Sequence, residues 1–133
     1  MTAALIPDPT DRVAGPFWQA AAEHRLVVQR CDRCGHLRWP PLSGCPDCLD
    51  RAVTWVDVAG TGTIWSYAVY HRALHPAFAG DVPYTVAVVE LAEGPLMTAR
   101  YVGPPANVGD PVEVFFEELV EGITLPRFRP RSV

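Results

Sequence analysis

Cys31-Asp-Arg-Cys34 and Cys45-Pro-Asp-Cys48 are two Cys-x-x-Cys motifs, and together they contain all four cysteines of the chain. A two-residue gap lets both thiolates of one tight turn face the same ion, and a second such turn completes a tetrahedral set of sulfur ligands. This donor set suits Zn²⁺. Because four protein sulfurs leave no position open for water, we expect the zinc ion to hold structure and to perform no chemistry.

The same cysteines allow three other interpretations: an iron or iron-sulfur site, a redox-active pair and disulfide bonds. Iron also accepts four thiolates, so the spacing leaves it open. A redox Cys-x-x-Cys usually occurs once, at the start of a helix, whereas here it is duplicated among turn residues. Residues 1–11 lack the basic start and apolar run of a signal peptide, so we expect a reducing, cytoplasmic location where disulfides are rare.

Composition restricts the class of protein. A chain of 133 residues can hold one ordinary domain or two small modules. Apolar residues make up 49% of it, yet no run approaches the length of a membrane span, so we expect a soluble globular protein with no membrane partner. The net charge of −4 argues against a nucleic-acid surface, which is normally basic.

A short N-terminal helix precedes the first cysteine motif. Pro16 suits a first helical turn, and mostly good helix formers follow it as far as His24. Phe17 and Trp18 are large aromatic side chains that a small ribbon cannot readily cover. We therefore expect this helix to dock onto another protein, and the alternative is that it folds back onto its own chain.

Six strand-like segments follow the second cysteine motif, with glycine and proline turns between them and no helical pattern. Such a series predicts a closed or nearly closed antiparallel barrel of the small OB type. The connection 72–82 is long, so it is either disordered or functional. The segments are 53–58, 63–71, 84–91, 96–102, 112–118 and 123–128.

The predicted fold class is therefore mainly β, with a short N-terminal helix, a zinc ribbon and then a small antiparallel OB-type β-barrel. We divide the chain into a lead and helix (1–25), a zinc ribbon (26–51) and an OB-fold barrel with a C-terminal tail (52–133).

An ordered series of motifs from residue 17 to residue 130 resembles a known family, the zinc-ribbon and OB-fold proteins catalogued as domain of unknown function 35. The resemblance implies a rubredoxin-like ribbon and an OB barrel that partner thiolase-superfamily enzymes acting on acyl-CoA. Besides the two cysteine motifs, the series includes Phe17-Trp18, Arg38-Trp-Pro-Pro41, Gly60-Thr-Gly62-Thr-Ile64, His71 with Pro76-Ala-Phe78, Pro83-Tyr84 and Leu125-Pro-Arg-Phe-Arg-Pro130.

Thiolase-like enzymes attack thioesters with a cysteine or a related group, and here all four cysteines are committed to metal. The resemblance thus implies a non-catalytic accessory subunit that forms a hetero-oligomer with a thiolase, an acyl-CoA synthase or a retro-aldolase, for example in sterol or lipid side-chain metabolism. Such a subunit would help to shape the partner's acyl-CoA site. The residues expected to contact the partner or the coenzyme A thioester are Phe17, Trp18, His71, His75, Phe78, Tyr84, Arg127 and Arg129.

His71 and His75 flank the long loop, and three roles stay open for them. A histidine can act as a general base near neutral pH, but no carboxylate at a diagnostic spacing orients either one. A polar channel or interface role and ordinary packing are the other two.

Arg127 and Arg129 alternate with Phe128 and would share one face of an extended strand. That face suits the phosphates of coenzyme A or an acidic partner surface. The alternative is pairing with acidic residues of the same chain, which are Asp110, Glu113, Glu117, Glu118 and Glu121.

Two functions from other classes stay open. OB barrels and zinc ribbons also bind single-stranded nucleic acid, and Trp65, Tyr67 and Tyr70 could stack on bases, although the acidic charge opposes this. The chain could also be a free-standing acyl-CoA-binding protein.

Overall fold

The computed structural model describes residues 7–120 and 123–132, which form one α-helix, eight strands and a short 3₁₀ turn. This mainly β architecture confirms the predicted fold class. The first six residues of the expected N-terminal lead and the turn at 121–122 lie outside the described residues. The elements are α1 (Gly15–Ala22), β1 (Val27–Cys31), β2 (Leu37–Arg38), β3 (Val53–Asp57), β4 (Thr61–Tyr70), β5 (Tyr84–Leu91), β6 (Leu96–Tyr101), β7 (Pro111–Val120) and β8 (Ile123–Pro130).

The ribbon is a three-stranded antiparallel sheet in the order β2-β1-β3. β3 pairs with β1 along its whole length, from Val27 opposite Asp57 to Cys31 opposite Val53. The strand pattern of the sequence places this segment with the barrel strands, whereas in the structure it pairs within the ribbon, and the division of the chain at 51/52 stays a prediction. Its pairing follows from the cysteine cluster, because the chain that leaves Cys48 begins beside the first motif.

The remaining strands close a barrel in the order β4-β5-β6-β8-β7, as the strand pattern predicts. Alternate residues of β5 face its interior, where Ala87, Val89 and Leu91 are buried. The ladders are antiparallel except at the closure, where β6 and β8 share a single parallel pair, Tyr101 with Phe128. The wall between β6 and β8 is therefore held by very little backbone pairing.

In the turn that leads into helix α1, the Asp11 carboxylate accepts hydrogen bonds of 2.8 Å from the backbone N–H groups of Val13 and Ala14. It packs on its own chain, against β8 and β1, and Phe17 is only 2% exposed. The alternative that the helix folds back onto its own chain is thus what the structure shows, and contact of Phe17 with a partner stays a prediction. The small ribbon is not the main cover for this ring, because α1 also packs against strand β8 of the barrel.

None of the described helical residues forms a segment long and apolar enough to cross a membrane.

Candidate functional site

The four cysteines form one cluster, in which all Sγ atoms lie within 4.8 Å of one another. Cys31 Sγ is 3.5 Å from Cys48 Sγ, and Cys34 Sγ is 3.6 Å from Cys45 Sγ. Zinc–sulfur bonds of about 2.3 Å in a tetrahedron place the sulfurs about 3.8 Å apart, so these separations fit one ion with four thiolates.

Each cysteine motif is a tight turn whose last step needs a positive φ. Gly35 (φ 78°) follows the first motif and donates its N–H to Cys31 O at 2.9 Å, and Leu49 (φ 66°) makes the same bond to Cys45 O. Glycine adopts this backbone without strain, whereas leucine does not. The two turns therefore have the same hydrogen bonding although only one of them carries the expected glycine.

The backbone of the first turn also activates a thiol. The N–H of Cys34 points at Cys31 Sγ, 3.5 Å away, and this contact is the largest of several hydrogen bonds that lower the pKa of Cys31 to about 6. The thiolate is the form that binds metal, so these hydrogen bonds favour the ligating state of Cys31. A 3.0 Å contact between His36 Nδ1 and Asp47 Oδ2 ties the two motifs together.

A cavity of about 540 Å³ lies where α1, β5, β6, β8 and the 72–82 loop meet. Its lining is mostly apolar and includes Phe17, Trp18, Met97 and Leu125. Met97 is an inward-facing barrel residue, so the cavity reaches the core at the weakly paired wall between β6 and β8. An apolar cavity of this size can hold a small ligand or a flexible chain.

The 72–82 loop covers one side of this cavity and is anchored through Arg100. The Arg100 guanidinium lies 4.2 Å from the centre of the Tyr84 ring and 5.7 Å from that of Phe78, within cation–π range. It also donates to Asp81 Oδ2 at 3.0 Å. Tyr84 stacks in turn on Tyr70, with ring centres 5.1 Å apart.

Arg127 lies in the cavity wall and is 9% exposed. Its Nε atom is 3.4 Å from Glu117 Oε2, so the two groups form an ion pair, but this N–H is not aligned for a hydrogen bond. Burial lowers the pKa of Arg127, and the nearby Glu117 carboxylate partly opposes this shift. Arg129, two residues on, points to a different partner and forms a 3.0 Å pair with Glu113.

Comparison with known proteins matches both parts of the chain. The model of the ChsH2 rubredoxin-like zinc ribbon domain matches residues 18–54, and that of the ChsH2 C-terminal OB-fold domain matches residues 55–117. A DUF35 domain-containing scaffold protein of Methanocaldococcus jannaschii is 30% identical over 84% of this chain and 82% of its own length. This chain belongs to the DUF35 family.

Two further relatives of this DUF35 chain differ in length. A solved structure described as "Ltp2-ChsH2(DUF35) aldolase" is 40% identical with a TM-score of 0.82, and the match covers 93% of this chain and 98% of that one. A probable enoyl-CoA hydratase alpha subunit of Thermomonospora curvata is 43% identical over 96% of this chain. This chain spans only 40% of the length of that subunit.

The zinc-ribbon match favours zinc over iron for the tetrathiolate cluster, and it confirms the expectation of a rubredoxin-like ribbon. The other sequence-predicted residues of this DUF35 chain are only partly brought together. Phe17, Trp18, Phe78, Tyr84 and Arg127 line the cavity. The structure thus gathers five of the eight residues that were expected to contact a partner or coenzyme A.

The remaining three lie elsewhere. His71 is exposed just beyond the end of β4, and the half-buried His75 has its ring centre 6.2 Å from that of Phe78. Arg129 pairs with Glu113 and Arg127 lies by Glu117, so the structure shows pairing within the chain, and contact of these arginines with phosphates or a partner stays a prediction.

Sequence reasoning missed Arg100, Asp81 and Trp39 in the cavity wall. Arg100 and Asp81 are 19 positions apart and meet only through the fold. Trp39 could have been found from the sequence, because it belongs to the Arg38-Trp-Pro-Pro41 motif. That segment is held by the Gln29 side chain, whose Oε1 accepts hydrogen bonds of 2.7 Å from Arg38 Nε and 2.8 Å from Leu42 N.

Proposed function

We propose that this chain is a non-catalytic accessory subunit that binds a thiolase-superfamily enzyme and helps to shape its acyl-CoA site. Cys31, Cys34, Cys45 and Cys48 hold a structural zinc ion that fixes the ribbon. The partner supplies the nucleophile and carries out the carbon–carbon bond chemistry on the thioester. The subunit contributes a surface that binds the partner and part of the wall around the acyl group.

The observation that carries this proposal is the commitment of every thiol to one cluster. The sequence has four cysteines, and all four sulfurs lie within 4.8 Å of one another. Once they bind zinc, no thiol is left to form an acyl-enzyme. The relatives support the partnership, since three are named DUF35 domain-containing scaffold proteins and one is a subunit, BbsA, of the benzoylsuccinyl-CoA thiolase of Thauera aromatica.

The cavity supports the part of the proposal that concerns the acyl group. Its apolar wall suits an acyl chain or the pantetheine arm. Two N–H groups of the residues in this wall, Trp39 Nε1 and Arg127 Nε, are buried without a hydrogen-bond partner among the described residues. A ligand with carbonyl oxygens, as thioesters and pantetheine amides have, would offer acceptors to this wall after a small side-chain adjustment.

The charges of the cavity favour the uncharged part of the thioester over its phosphates. Arg100 faces Asp81 at 3.0 Å, and Arg127 faces Glu117 at 3.4 Å. Each guanidinium therefore already has a carboxylate nearby, and little net positive charge is left for a phosphate. In this arrangement, the nucleotide end of coenzyme A belongs to the partner.

Co-expression with a thiolase-like protein encoded beside it tests the partnership. The proposal predicts a stable complex and thioester turnover only when both proteins are present. A chain that stays alone on size exclusion, or that turns over acyl-CoA by itself, contradicts the proposal.

A second experiment tests the cavity. Thr98 is an exposed residue of the cavity rim, and Thr98→Trp places an indole in the opening. We expect it to weaken acyl-CoA binding by the complex by at least about tenfold, equivalent to about 1.4 kcal/mol. Thr63→Trp is the matched control, because Thr63 is also an exposed strand threonine but does not line the cavity.

The same titration distinguishes a free-standing acyl-CoA-binding protein from a subunit. A free-standing binder takes up acyl-CoA with equal affinity whether or not the partner is present. The proposed subunit binds it appreciably only in the complex, because the phosphates need the partner's contacts. Equal affinity would contradict the subunit role.

A further inference from the structure

Strand β4 extends well beyond the stretch in which it pairs with β7. Over Thr61–Thr63 it pairs with β7, and from Ser66 to Tyr70 its only strand partner among residues 7–120 and 123–132 is β5. Between these stretches, Ile64 is held by backbone hydrogen bonds to residues 109 and 110, and a bulge follows at Trp65. The second half of β4 is thus an edge strand, although it belongs to a closed barrel.

The alternate residues Trp65, Tyr67 and Val69 of this segment are exposed by 56%, 41% and 45%. We name these three residues the β4 stripe. Tyr67 lies opposite Ala87, which is fully buried, so both side chains are on the barrel's inward face. This face is exposed at the β4 stripe, in the part of β4 where pairing with β7 has ended.

The edge lacks the features that usually prevent strand pairing. Natural edge strands are protected by charged side chains, prolines, strong twists or short length. β4 is ten residues long, and its sequence Thr61-Gly-Thr-Ile-Trp-Ser-Tyr-Ala-Val-Tyr70 contains no charge and no proline. Its only irregularity is the bulge, which precedes the free segment. A long, uncharged, apolar edge left open in this way is suited to receiving another strand.

We propose that the β4 stripe and the free edge from Ser66 to Tyr70 bind an extended, uncharged, apolar segment of the thiolase-like subunit, which adds one strand to the barrel sheet. This inference rests on the proposed function, since it specifies where that partner docks. The backbone N–H and C=O groups on the open edge of β4 supply the hydrogen bonds, and the β4 stripe supplies the apolar contacts. An uncharged segment is the complement, because a charged side chain buried against β4 would find no counter-ion there.

The same observations favour a protein segment over nucleic acid. Aromatic residues can stack on bases, but Tyr70 already stacks on Tyr84. Stable binding also needs basic groups along the phosphate path, and β4 has none. A second copy of this chain is a competing occupant, because an uncharged edge does not repel itself.

The test uses Tyr67→Lys, which places a charge on the edge in the way natural edge strands do. Tyr67 is 41% exposed, so the barrel should fold normally. Leu49→Lys is the matched control, because Leu49 is an 82% exposed apolar residue of the ribbon. The affinity of each variant for the co-expressed thiolase-like protein would be measured alongside hydrogen exchange of the wild type, free and in the complex.

We expect Tyr67→Lys to weaken the complex by at least about tenfold and Leu49→Lys to change it by less than about twofold. The backbone amides of 66–70 should become protected in the complex. If the wild type binds its partner while Tyr67→Lys binds equally well and 66–70 gains no protection, the docking surface is wrong and the proposed function stands.

If the wild type fails to bind the thiolase-like protein at all, the proposed function fails and this inference fails with it. Two other results overturn the docking surface alone. One is a wild-type dimer of this chain that Tyr67→Lys converts to monomer, which assigns the edge to a second copy. The other is a salt-sensitive complex with a single-stranded oligonucleotide that Tyr67→Lys alters, which assigns the stripe to nucleic acid.

Discussion

Removal of zinc should unfold the segment 31–50 and leave the barrel folded. Only three residues of this segment are buried, and they are Cys31, Arg38 and Cys45. It therefore has no apolar core of its own to offset the cost of ordering its backbone, about 1–2 kcal/mol per residue. The barrel keeps its own core, with Ile64, Val89 and Phe128 each at most 1% exposed.

The size of this effect follows from the free energy with which zinc binds the four-cysteine cluster. Structural zinc in a small ribbon contributes about 10–16 kcal/mol of coupled binding and folding near neutral pH. This matches or exceeds the whole stability of an ordinary small domain, about 5–15 kcal/mol. Chelation of the zinc ion should therefore unfold the segment 31–50 completely, without a partly ordered intermediate.

The assay is hydrogen exchange of the zinc-loaded and chelator-treated chain, with metal content measured in parallel. The amides of 31–50 should lose protection without metal, while those of β5 keep it. Cys45→Ser should reproduce the metal-free pattern, whereas Ser43→Ala, an exposed change two residues away, should keep one zinc ion per chain. Slow exchange across 31–50 in the metal-free chain would refute the reasoning.

Three further perturbations test the fold around the site. Phe17→Ala should cost about 3–5 kcal/mol in denaturant unfolding of the isolated chain, since the ring is 2% exposed, and a loss below about 1 kcal/mol would show that α1 is not packed on the barrel. Gly60→Ala should lower the free energy of unfolding more than Gly109→Ala does. Both glycines have a positive φ, but only at Gly60 would a Cβ overlap Val114, which adds about 1–3 kcal/mol to the loss. Equal losses of stability in the two variants would contradict this packing. The backbone N–H groups of Ala14 and Val13 donate to Asp11 and hold its pKa below 3.8. The ionised carboxylate therefore stabilises the fold above pH 3.8, and this contribution disappears as the pH falls through the lowered pKa. Asp11→Asn should lower the melting temperature near neutral pH but not in strong acid, and a difference that does not depend on pH would contradict this role of Asp11.

Local sequence determined the elements whose chemistry is local. The two Cys-x-x-Cys motifs specify the metal turns through a spacing of two residues, and the cluster needs only those two turns to meet. Glycine and proline turns between apolar segments likewise predicted the barrel strands, and the expected segment 84–91 has the bounds of β5. The physical reason is that turn geometry and strand alternation depend on neighbouring residues.

Only the tertiary structure decided which surfaces meet. It pairs β3 with β1, places Phe17 against the barrel and brings Arg100 to Asp81, and none of these contacts has a signature in local spacing. It also leaves one edge of β4 open from Ser66 to Tyr70 among the described residues, because β7 pairs with β4 only over residues 61–63 while β5 pairs along the other side. Such contacts depend on the free energy of the whole fold, in which distant strands and side chains compete for the same partners, so the sequence pattern of one segment cannot specify them.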